Sequence, residues 1–204
     1  MTATADAAQD DLRYVRQLAE SGAHAPLLGG RFMALWGLLL TVAYALQHFA
    51  LRGAIGEGGA VFGMIWGGFG LAAGLGQFAL ARSMTGKAGS GSAGNRASRP
   101  VWTAAGCAIF AMFAGLAAAS RGRIGPTTFD GLVPVAFTAY ACALIVTGAL
   151  ARSRVTVAAG AGAVAMVGLF TALMASPDRY LLAAAGVFAT VLVPGLLLLR
   201  AETR

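Results

Sequence analysis

Residues 32–51 read FMALWGLLLTVAYALQHFAL, twenty positions without an Asp, Glu, Lys or Arg. A helix rising 1.5 Å per residue carries such a run across about 30 Å, the thickness of the hydrocarbon core of a bilayer. Arg31 and Arg52 stand at its two ends, where long basic side chains reach the headgroups. The stretch therefore predicts a membrane-spanning helix.

The same pattern recurs five more times, at about 60–81, 101–120, 131–151, 155–176 and 180–199, each run free of charged residues in its interior. All six can cross hydrocarbon without the several-kcal/mol cost of a buried charge. Composition agrees: 58% of the chain is hydrophobic, 11% is charged and mean hydropathy is +0.73, values of a chain solvated mainly by lipid. The expected fold class is an all-α integral membrane protein, a six-transmembrane-helix bundle with short loops and no separate soluble domain.

The chain divides into four parts. Residues 1–30 form an N-terminal segment with a short amphipathic helix at about 10–21, capped by Asp10, with Leu12, Val15, Leu18 and Ala19 on one face and Gly22 after its end. Residues 31–200 form the membrane domain. Within it, residues 83–100, rich in Gly and Ser, read as a flexible loop. Residues 201–204 are a tail. The first thirty residues lack a basic start followed by a short apolar core, so the first span is expected to be retained.

Charge sets the orientation. The termini and the even-numbered loops hold Arg13, Arg16, Arg31, Arg82, Lys87, Arg96, Arg99, Arg152, Arg154, Arg200 and Arg204, while the opposite face has only Arg52, Arg121, Arg123 and Arg179. Eleven against four places both termini in the cytoplasm by the positive-inside rule. Arginine outnumbers lysine fourteen to one, a bias of GC-rich bacterial genomes, so a bacterial inner (cytoplasmic) membrane is the expected location. The net charge of +7 is spread over span ends and forms no patch, which argues against a nucleic-acid partner.

Three features inside the spans are candidates for more than spanning. In the first span Thr41, Tyr44 and His48 follow at helical spacings, with Gln47 beside them. Such a polar stripe is expected to face other helices or a wet pocket. In the second, Gly59, Gly63 and Gly67 repeat every four residues, and Gly70 and Gly74 continue near that face. Glycine lets helix backbones approach closely in lipid, so this helix is expected to sit centrally in the bundle or at a dimer interface. In the sixth, Pro194 removes a backbone hydrogen bond well inside the run and predicts a kink.

Chemistry-bearing patterns are sparse. Cys107 and Cys142 both fall within spans, at a spacing that fits neither a redox pair nor a zinc site, and read as buried small hydrophobes. His48 is the sole histidine within a span. Haem in a helix bundle takes paired axial ligands on facing helices, so no cofactor or metal is expected. No span carries paired carboxylates, and no metalloprotease or serine-nucleophile motif occurs. The expected function is non-enzymatic, exercised by assembly with a second copy or with a membrane or cytoplasmic protein. The alternative is a small-solute or lipid transporter whose polar site is lined by Thr41, Tyr44, Gln47 and His48.

Overall fold

Backbone in hydrocarbon must satisfy its own N–H and C=O groups, and a helix does so within one segment. The computed structural model describes residue 13 and residues 28–56, 58–84, 92–121, 123, 125 and 127–202. It contains six helices long and apolar enough to cross a membrane. Five are unbroken: α1 (Gly30–Leu51), α2 (Gly59–Ser83), α3 (Ala93–Ala119), α4 (Leu132–Leu150) and α5 (Arg154–Ala172). The sixth span joins α6 (Arg179–Val187), a π-helical turn (Phe188–Leu192) and α7 (Val193–Glu202). The expected amphipathic helix at 10–21 lies outside the described residues apart from Arg13.

Most helix ends fall within a few residues of the expected ones, with one clear difference. Helix α3 starts at Ala93 and not near 101, so the flexible loop ends earlier than Pro100. Ser92 caps it, its side chain accepting from the Asn95 amide. The buried Asn95 in turn accepts from the Leu28 backbone N–H at 2.9 Å, tying these turns to the entrance of α1. That tertiary contact overrides the loop-forming composition, and Pro100 is carried inside the helix. Residues 85–91 of the same loop lie outside the described residues.

Helices α1, α4, α5 and the sixth span surround the core, in which Tyr44, Phe137, Leu144, Phe170, Tyr180 and Val187 are buried. Helix α1 packs against the sixth span, which packs against α5, which packs against α4. The remaining two helices are flanks: α2 lies chiefly along α1, and α3 chiefly along α4. Ala73 is the one buried residue of α2 among the described residues.

Of the two places expected for α2, central in the bundle or at a dimer interface, the described residues do not fit the first. A Cβ placed on Gly59, Gly63, Gly67, Gly70 or Gly74 would meet nothing within 4 Å. The glycines that do bring backbones together lie elsewhere. A Cβ on Gly37 would stand 2.6 Å from the Leu192 amide nitrogen, and one on Gly195 would stand 2.7 Å from that of Ala34. These two glycines are where α1 crosses the sixth span. Gly148 and Gly160 do the same between α4 and α5. In α2 the side that meets α1 carries Trp66 and Phe69, packed edge-on against Tyr44 and Trp36. The apolar contact went to aromatic rings, and the glycine row was left open.

At the sixth span the helix widens into a π turn over Phe188–Leu192, directly before the buried Pro194. Proline lacks an amide hydrogen and crowds the carbonyl four residues earlier; a π turn is one way a helix accommodates such a break. Cys107 and Cys142 are exposed on the outer surface of their helices, which corrects their reading as buried residues. Small side chains are equally compatible with either face.

Candidate functional site

One group of polar and charged side chains gathers at the end formed by the turns after α1, α3 and α5. Helix α1 delivers Tyr44, Gln47 and His48 on one face, because positions three and four apart stack on a helix. The sixth span begins there, so Asp178, Arg179 and Tyr180 come from its first turn. Asp130 comes from the turn that leads into α4, and Trp66 from α2.

Tyr180 is the centre of this cluster. Its hydroxyl donates to Asp130 Oδ1. The second Asp130 oxygen faces Arg179 Nε at 3.1 Å, both side chains nearly buried. The Arg179 guanidinium also donates to the Ser176 carbonyl at 3.2 Å and lies over the Tyr180 ring. Gln47 accepts from Trp66 Nε1 at 2.9 Å. The Tyr44 ring stacks on that of Tyr180, centroids 6.1 Å apart, and meets Trp66 edge-on.

A second pair lies nearer the surface. Arg52 donates to Asp178 Oδ1 at 2.5 Å, with both side chains about half exposed. His48 Nε2 stands 3.8 Å from the same oxygen, beyond hydrogen-bond reach. The buried His48 Nδ1 has no hydrogen-bond partner among the described residues. Both carboxylates thus face arginines, and the phenol is a donor to one of them. Neither a nucleophile with an adjacent base nor a metal-ligating group of three side chains occurs among the described residues of this cluster.

The four residues of the expected stripe therefore divide. Tyr44, Gln47 and His48 enter the cluster. Thr41 does not, since its hydroxyl donates to the Gly37 carbonyl of its own helix at 2.6 Å. Sequence reasoning used Arg179 only as a loop charge that sets orientation and did not single out Asp130, Asp178 or Tyr180. The signal that could have found them was topological: with six spans, residues 48, 130 and 178–180 must share one end of the bundle.

Of the other polar positions in the spans, Gln77 accepts from Trp36 Nε1 at 2.9 Å and Thr138 donates to the Pro134 carbonyl. Thr147 faces a separate small cavity of about 20 Å³ at the opposite end, where Ser98, Trp102 and Thr156 are also at the wall. Its buried hydroxyl has no partner among the described residues. That volume suits a single water.

The chain matches no protein-family model, no curated protein and no solved structure, so its own residues are the guide to its function.

Proposed function

We propose that this is a non-enzymatic, multi-pass protein of a bacterial inner membrane that acts by assembly, docking a second copy of itself through α2. The carrying observation is the open glycine row. At 3.6 residues per turn, Gly59, Gly63, Gly67, Gly70 and Gly74 fall within an arc of about 80°, and none has a neighbour a Cβ would touch. Among the described residues no neighbour stands within 4 Å of a Cβ at these glycines, yet each costs helix stability relative to alanine. A row of this kind lets a second helix approach until backbone Cα–H groups and carbonyls touch. The two-fold arrangement, in which each copy offers the same face, is the commonest closed assembly.

The rest of the molecule fits this reading. The polar cluster ties turns together and offers no reactive pair, so it holds the bundle in shape while the flank carries the contact. The transporter alternative needs a polar pocket along α1. Thr41 is turned back on its own helix, and neither the small cavity beside Thr147, which Met33 of α1 helps to line, nor the open groove between α4 and α5 is lined by Thr41, Tyr44, Gln47 or His48.

Disulfide cross-linking in native-like vesicles tests the reading. In a background with Cys107 and Cys142 replaced by alanine, Gly67→Cys is expected to form a covalent dimer on mild oxidation. Val164→Cys, exposed on α5, is the control and is expected to remain monomeric. Equal cross-linking at both positions, or none at Gly67→Cys, would refute docking through α2.

A further inference from the structure

The turn between α4 and α5 holds an arginine in a backbone conformation that usually belongs to glycine. Helix α4 ends in a Schellman motif: the Ser153 N–H bonds the Gly148 carbonyl at 2.8 Å and the Arg152 N–H bonds that of Ala149 at 3.3 Å. The residue between cap and exit in this motif adopts left-handed backbone, normally as glycine. Here it is Arg152, at φ 53°. A side chain with a Cβ costs roughly 1–2 kcal/mol there. At the end of α1 the equivalent position is Gly53, at φ 72°.

Arg152 and Arg154 stand at the mouth of an open groove of about 470 Å³ between α4 and α5, with Gly148, Ala149, Ala158 and Ala161 among the residues along it. The groove exists because α4 and α5 cross closely at Gly148, where a Cβ would be 2.8 Å from the Val157 amide nitrogen, and because the neighbouring side chains are small. Neither guanidinium has a hydrogen-bond, ion-pair or ring partner among the described residues. No acidic side chain among them lines the groove.

We propose that this groove binds an anionic phospholipid, its phosphate between Arg152 and Arg154 and an acyl chain along the alanine floor. The occupant follows from complementarity on two counts. The mouth offers two cations with no counterion among the described residues, and guanidinium forks match phosphate oxygens. The floor is apolar and runs into the spans, so the ligand must carry hydrocarbon as well as charge. Free phosphate would satisfy only the first. Basic pockets between helices at a membrane surface take anionic headgroups on the same terms. The site is separate from the α2 face and does not depend on it.

Retention of dioleoyl phosphatidylglycerol against dioleoyl phosphatidylcholine, measured by native mass spectrometry of protein released from mixed nanodiscs, tests the site. The variant R152G/R154Q removes both charges while giving the strained position the residue its backbone favours, so the turn is preserved. It is expected to retain phosphatidylglycerol roughly 10- to 30-fold less than the unaltered protein, from about 1 kcal/mol per basic residue at a membrane surface. Arg121→Gly relieves the other left-handed arginine, at φ 49°, outside the groove, and is expected to retain lipid normally. Equal phosphatidylglycerol retention by R152G/R154Q, equal retention of the two lipids, or an equal loss in Arg121→Gly would overturn the site. So would displacement of phosphatidylglycerol by inorganic phosphate at millimolar concentration, which would assign the arginines to a phosphate alone.

Discussion

Tyr180 and Asp130, fifty residues apart in the chain, are joined by a hydrogen bond from the tyrosine hydroxyl to the carboxylate. Together with the 3.1 Å approach of Arg179 to the other carboxylate oxygen, it fastens the turn before α4 to the start of the sixth span. Two charges at a helix end this little exposed are tolerable only as a pair, and the buried Arg179 Nε has the Asp130 carboxylate as its charge partner with no well-aligned hydrogen bond among the described residues.

Removing one partner of that pair should therefore be costly. Asp130→Asn leaves the Arg179 charge uncompensated and is expected to destabilise the folded protein by about 3–5 kcal/mol. Tyr180→Phe deletes one hydrogen bond to a charged group and is expected to cost about 1.5–3 kcal/mol. Arg52→Ala, which breaks the half-exposed pair with Asp178, should cost no more than about 1 kcal/mol. Equilibrium unfolding in mixed detergent and denaturant reads all three, and the order of the costs is the test.

The glycines fall into two groups that alanine separates. Gly37→Ala drives a methyl group toward the Leu192 backbone, 2.6 Å away, and is expected to cost about 1–3 kcal/mol through the shift it forces. Gly67→Ala meets nothing and should leave monomer stability unchanged or raise it by up to about 1 kcal/mol through helix propensity. Unfolding of the monomer at high detergent-to-protein ratio checks the contrast.

How much of this was visible in the sequence differs between fold and site. The spans were legible because hydrocarbon imposes a length and forbids charge, so Arg31, Arg52 and their counterparts mark the ends of apolar runs almost by themselves. Packing was not, because the glycine pattern of α2 and the isolated Gly37 and Gly195 differ only in what stands opposite, and one sequence does not say which helices are neighbours. The start of α3 was missed for the same reason: Ser92 and Asn95 look like loop residues until the Leu28 amide is placed beside them. His48 and Tyr44 stood out as polar residues inside a span, whereas Asp130 and Arg179 resembled ordinary boundary charges.

The left-handed arginines give a stability effect of the opposite sign. Arg152→Gly and Arg121→Gly each relieve roughly 1–2 kcal/mol of backbone strain and lose roughly 0.5–1 kcal/mol to the greater freedom of glycine in the unfolded chain. Each is expected to stabilise the protein by up to about 1.5 kcal/mol in lipid-free detergent. A rise of a few degrees in the midpoint of thermal unfolding is the readout, and a fall would show that the arginine side chains contribute to folding itself.

Self-association through α2 is read most directly by single-molecule photobleaching of labelled protein in lipid vesicles, over a series of protein-to-lipid ratios, for the unaltered chain and for Gly67→Leu. A Cβ at Gly67 meets nothing within 4 Å among the described residues, so the variant is expected to fold and to differ chiefly in what can lie against α2, and its monomer unfolding at high detergent-to-protein ratio is measured alongside. The unaltered protein is expected to show two-step bleaching that grows with density, and Gly67→Leu to need at least about tenfold higher density for the same dimer fraction, a loss of about 1.4 kcal/mol. Single-step bleaching of the unaltered protein at every density, or coincident curves for the two proteins, would contradict assembly through this face.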